Sequence, residues 1–209
     1  MHGHIDHLVL AVADLEEAIE TMDTLLGVRP AMGGRHPGWG TWNALVSLGG
    51  STYLELIAPD PENRESSVST PEIFSTPSAA RMIGWFAKCR DLDAVRETLV
   101  AQGACPGPVK DGSRALPDGR LLQWQLTDPE TMVMDGIFPM LIDWQDSPHP
   151  SASAPTGCRL VEFGLVHPNA SKVQDLMHSI GIDQVVQSGP SPAISAAFET
   201  PIGRFEWPL

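Results

Sequence analysis

His7-Leu8-Val9-Leu10-Ala11-Val12 and Tyr53-Leu54-Glu55-Leu56-Ile57 read as two strands, each carrying one polar residue, His7 and Glu55. Side chains of a strand alternate between its faces. His7, Val9 and Ala11 therefore share one face, as do Tyr53, Glu55 and Ile57, while Leu8, Leu10, Leu54 and Leu56 take the other. An imidazole and a carboxylate then line one apolar wall. Two readings stay open at this point: a half-formed metal site, or a buried ion pair.

Working outward, the first strand spans 5–12 and is followed by Asp14-Leu15-Glu16-Glu17, where Asp14 accepts from unpaired backbone N–H groups and opens a helix. Leu15, Ala18, Ile19, Met22, Leu25 and Leu26 recur at helical spacing, and Gly27 supplies a left-handed stop. Residues 33–40 are glycine-rich and read as a flexible connection, before strands at 42–48 and 52–58 joined through Gly49-Gly50. The pattern returns twice. A strand at 82–89 leads to a helix with Leu92, Val95 and Leu99, then strands at 120–127 and 137–144. A strand at 159–166 leads to a helix with Val173, Leu176, Met177 and Ile180, then strands at 193–199 and 204–207. The predicted units are 1–62, 79–146 and 157–209, with Pro/Ser-rich linkers at 59–78 and 145–157. One such unit leaves its concave side open, so two must pair. An odd third unit caps them, replaces one, or pairs with another chain as a homodimer.

The bulk numbers exclude several classes of partner. With 209 residues, 42% hydrophobic and 19% charged, the chain has the composition of a globular protein. Thirteen basic residues against 26 acidic give a formal charge of -13 without any basic cluster, which argues against nucleic acid and anionic membranes and for a small-molecule ligand. No stretch approaches the roughly 20 apolar residues of a membrane span, and Met1-His2-Gly3-His4 does not open a secretory signal, so a cytoplasmic location is expected. Cys89, Cys105 and Cys158 have no metal-ligand or disulfide spacing. There is no GxGxxG, phosphate loop or GxSxG.

The stretches Ile5-Asp-His-Leu-Val-Leu-Ala-Val-Ala-Asp-Leu15, Gly33-Gly-Arg-His-Pro-Gly-Trp-Gly-Thr-Trp-Asn-Ala-Leu45, Tyr53-Leu-Glu-Leu-Ile-Ala-Pro-Asp-Pro61 and Leu141-Ile-Asp-Trp-Gln-Asp-Ser-Pro-His-Pro150 resemble the glyoxalase-like domain proteins of the vicinal oxygen chelate superfamily. The resemblance implies an α+β fold of repeated βαβββ modules, forming a cupped, incomplete β-barrel with its helices outside. It further implies a divalent metal (Zn, Ni, Mn or Fe) held by the first and last strands of paired modules. His7 and Glu55 fall at those positions. The second unit offers Gly84 and Met140 there, the third Val161 and Glu206. Metal ligands under this resemblance are His7, Glu55 and Glu206, and the implied chemistry is isomerase, lyase or ring-opening on an oxygen-bearing metabolite. The alternative is a metal-free binding or resistance-type protein of the same fold.

Other residues complete the candidate site. His36 in the glycine-rich segment is a third ligand or a general acid/base beside Glu55, and Arg35 and Trp39 next to it suit an anionic substrate. Asn43 and Tyr53 are further substrate-binding candidates, Tyr53 from the face of Glu55. Asp143, before Trp144, is either a base with a raised pKa or a salt-bridge partner of Arg120. His149, between two prolines of a linker, either reaches over the same cavity or is a surface residue.

Overall fold

A computed structural model describes residues 4–63, 80–115 and 121–208. The first unit comprises β1 (Ile5–Ala11), α1 (Leu15–Leu26), β2 (Ala31–His36), β3 (Thr41–Ser47) and β4 (Tyr53–Pro59). The second comprises β5 (Arg81–Lys88), α2 (Leu92–Ala101), β6 (Val109–Ala115), β7 (Leu121–Thr127) and β8 (Met140–Asp143). The third comprises β9 (Arg159–His167), α3 (Ala170–Ser179), β10 (Val186–Ser188), β11 (Ala193–Thr200) and β12 (Gly203–Trp207). Local chemistry sets these boundaries as the sequence suggests. Asp14 accepts from the Glu17 backbone N–H at the start of α1, and Gly27 ends that helix at φ 64°. Leu15, Ile19, Met22 and Leu26 form its buried stripe.

The first two units share one eight-stranded sheet ordered β2-β3-β4-β1-β5-β8-β7-β6. Within each unit the first and last strands run parallel, and the two halves join where β1 and β5 pair antiparallel. The sheet curls until its two edge strands, β2 and β6, approach each other without forming a ladder. This is the cupped, incomplete barrel.

The third unit forms a separate sheet, β10-β9-β11-β12. Its apolar side chains Phe163, Leu165, Phe198 and Phe205 join one core with Leu8, Leu10, Leu54 and Leu56 from the convex face of the large sheet. Trp85 sits at this junction, fully buried, with its indole N–H donated to the Ile137 carbonyl at 3.0 Å and its ring edge-on to Phe163. The third unit thus covers the back of the barrel and leaves the concave face to the first two. No helix among the described residues is long and apolar enough to cross a membrane.

Three local expectations are corrected. Residues 31–36, which the sequence presents partly as a flexible connection, form edge strand β2, because its glycines carry no side chains to report the alternation. Strand β6 has no counterpart among the expected elements. Its polar sequence hides it, and Gly112 is covered by the Trp124 indole from the paired strand. The strand expected at 137–144 begins only at Met140, after a 3-10 turn at Met134–Gly136. Most of the 59–78 linker lies outside the described residues.

Candidate functional site

The concave face of the large sheet encloses a cavity of about 590 Å³. Its wall is mainly apolar and aromatic, with polar groups from β1 to β4 (His7, His36, Thr41, Asn43 and Glu55) and with Arg114 and Glu130. The parallel ladder pairs His7 with Tyr53 and Val9 with Glu55. His7 and Glu55 are therefore diagonal neighbours on one face, and His7 Nε2 lies 3.6 Å from Glu55 Oε2. Both side chains are buried.

Asp6 joins this site against the sequence pattern, since regular alternation sends it to the face opposite His7. A β-bulge overrides the alternation. On β5, Ala87 opposes Ile5 and its neighbour Phe86 opposes His7, which leaves Asp6 as the extra residue and re-aims it. Asp6 accepts from His7 Nδ1 at 2.7 Å, from His149 Nε2 at 3.0 Å and from Trp144 Nε1 at 3.1 Å. Burial alone raises the pKa of this carboxyl, but the hydrogen bonds from His149 and His7 outweigh it and hold Asp6 well below the usual carboxylate range.

An ionised carboxylate only accepts, so the protons sit on His7 Nδ1 and His149 Nε2. The His149 ring then accepts from the Ser151 backbone N–H through Nδ1. His7 is left with Nε2 directed at Glu55, and its ring is clamped between Tyr53 and Phe86, at 4.5 Å and 4.3 Å between centroids. Asn43 Nδ2 donates to Glu55 Oε1 at 2.5 Å. Asp6, His7 and Glu55 thus form a line from the back of β1 into the cavity.

His36 is not on a mobile loop at the mouth. It ends β2, is buried, and faces the same cavity, where Nδ1 meets Thr41 Oγ1 at 3.1 Å. Burial pushes its pKa down, partly opposed by the Glu55 charge, so the ring is neutral near pH 7. Trp39 lines the cavity with its ring stacked on Trp124 at 6.4 Å, and the Tyr53 phenol is held neutral by burial and by the nearby Asp6 and Glu55 charges. Arg114 from β6, which no motif in the sequence marks, brings a guanidinium to the wall.

The remaining candidates fall elsewhere. Arg35 alternates with His36, so it turns outward to pair with Asp60 and Glu62 and lies over the Trp42 ring. Asp143 does not reach the cavity. It accepts from the Gln145 N–H and pairs with Arg90 at 3.4 Å, while Arg120 lies outside the described residues. Glu206 is exposed on β12 of the other sheet, bonded to Arg204, because the third unit packs on the back of the barrel. His149 takes neither a surface role nor a place on the cavity wall, and binds Asp6 behind His7.

These donors do not fit a divalent ion. Catalytic metal sites take about three protein ligands, whereas no group of three His, Cys, Asp or Glu side chains among the described residues is arranged around one point where an ion could sit, the His7 and His149 nitrogens nearest Asp6 being spent on hydrogen bonds to it. At the positions where the second unit would contribute, Met140 lies over Gly84, so a thioether methyl occupies that wall. The Arg114 guanidinium adds a positive charge to the same cavity.

The model of the glyoxalase-like domain family matches residues 5–181. Among solved structures, a hypothetical protein from Staphylococcus aureus is similar at a TM-score of 0.65 and 15% identity, over 90% of this chain and 87% of that one. Methylmalonyl-CoA epimerase from Mycobacterium tuberculosis is similar at 0.44 and 22%, over 66% of this chain and 85% of that one. No curated protein matches the chain.

Proposed function

The chain belongs to the glyoxalase-like domain family, and from the geometry of its site we propose an enzyme that moves a proton on a small carbonyl-bearing molecule without a metal ion. The observation that carries this reading is the buried line Asp6–His7–Glu55, ending in a mainly apolar cavity. Asp6 fixes the tautomer and orientation of His7. Glu55, steadied by Asn43, takes a proton from carbon next to the carbonyl, and His7 Nε2 exchanges protons with Glu55 or returns one to the substrate. Neutral His36 lies on the same wall, suited to hydrogen-bond the substrate oxygen. Isomerisation and elimination both follow from such a step.

The aromatic walls favour a second reading, a metal-free binding protein that holds its ligand without chemistry. Turnover separates the two.

The metal-free reading is tested by thermal melting in the presence of added Zn, Ni, Mn or Fe(II). A ligand that binds only the folded state at 100 times its Kd stabilises by about 2.7 kcal/mol. We expect the wild type and Glu55→Gln to respond alike to each ion. A rise in Tm of several degrees in the wild type, lost in Glu55→Gln, would show that the cavity does hold a metal.

A further inference from the structure

We propose that the gap between β2 and β6 is a binding subsite for the anionic end of the ligand, with Arg114 as its anchor and the apolar body of the ligand inside the barrel. This deepens the reading above, since it rests on the cavity being a ligand site, but it does not depend on any chemistry there.

The two edges of the large sheet leave a cleft outside the barrel, and Arg114, His36 and Trp39 line both this cleft and the cavity. The two spaces therefore meet at these side chains. Arg114 reaches this point because the strand opposite has no side chain there. A Cβ on Gly34 would stand 3.1 Å from Arg114 Cδ and 3.2 Å from a guanidinium nitrogen, and Gly34 has φ +154°. A guanidinium buried on an apolar wall is costly to keep without a function or a partner. It also has five N–H donors in a planar fork, so a carboxylate, sulfonate or phosphate oxygen is served alongside any protein partner.

The surrounding charges bear on this. Glu55 and Glu130 line the same cavity as Arg114, with one Glu55 oxygen taken by the Asn43 amide. Arg35, Lys110 and Asp111 line the outer cleft, each already engaged: Arg35 with Asp60 and Glu62, Lys110 with Asp128 at 2.9 Å, and Asp111 as acceptor from the Gln125 amide. The chain as a whole carries a formal charge of -13, so its general field repels anions. An anion held here is held by the local guanidinium and not by the molecule's overall charge. The ligand class is an amphipathic molecule with a flat apolar body, which suits Trp39 and Trp124, and one anionic group.

A matched pair of fluorescent probes tests this: 1-anilinonaphthalene-8-sulfonate, and its uncharged counterpart N-phenyl-1-naphthylamine. Binding is read by energy transfer from the tryptophans. We expect one site per chain in the wild type, with the sulfonate bound about tenfold more tightly, the factor for one added charge-assisted contact. Arg114→Gln should erase that preference and leave the neutral probe within twofold, and Arg114→Lys should restore part of it. If Arg114→Gln does not fold, displacement of the neutral probe from the wild type by naphthalene-2-sulfonate against naphthalene decides, with the sulfonate expected to win. Equal affinity of both probes, or equal loss of both in folded Arg114→Gln, overturns the subsite while leaving the cavity reading intact. Failure of both probes to bind overturns both.

Discussion

Asp6→Ala is expected to lower the folding free energy by about 3–5 kcal/mol, the cost of removing one partner from a buried ionic network. Three donors converge on this carboxylate, from His7, His149 and Trp144, and the carboxylate itself is fully buried. The loss spreads across the fold, since Asp6 joins β1 to the segment that follows β8. For a chain of this size about 2–4 °C of Tm is lost per kcal/mol, so the melting temperature should fall by roughly 6–20 °C. The pH dependence carries a second signature. The pKa of folded Asp6 is depressed, so its stabilising contribution is fully present above the unfolded value of about 3.9 and is lost as pH falls through the lower folded value. Stability of the wild type should therefore drop more steeply below about pH 4 than that of Asp6→Ala. Parallel pH profiles would mean that folding leaves the Asp6 pKa unshifted.

Glu55→Gln and His7→Gln are each expected to reduce turnover about 10²–10⁴-fold, the range for a positioned general acid or base. Because the two groups face each other at 3.6 Å and act on one proton, the double variant should be little worse than either single one. Additive losses would instead mean separate roles. Melting must accompany the kinetics, since Glu55 also receives the Asn43 amide. The side-chain amide introduced by Glu55→Gln retains a carbonyl oxygen for that bond, so stability should change far less than turnover.

The pairing of His7 with Glu55 is legible in the sequence because both sit in regular strands flanked by leucines, where alternation is unambiguous. The helix with Asp14 and Gly27 at its ends is legible for the same reason: each end is set by a local interaction. What the sequence hides depends on events between distant residues. The bulge that turns Asp6 toward His7 exists only in the pairing of β1 with β5. His149 gains its role through a contact 143 residues away in sequence. Strands β2 and β6 are polar and glycine-bearing edges, and their approach places His36 and Arg114, a geometry that no periodicity announces. Glu206 matches the expected motif locally but belongs to the unit packed on the back of the barrel.

Deuterium incorporation from D2O into a panel of small ketones, keto acids and thioesters, followed by proton NMR with protein freed of metals by chelation, tests the proton-transfer claim most directly. The account predicts exchange at carbon next to the carbonyl in at least one compound class, unchanged by returning divalent ions and lost in Glu55→Gln. Exchange that appears only when a divalent ion is restored, or that persists undiminished in folded Glu55→Gln, would contradict it.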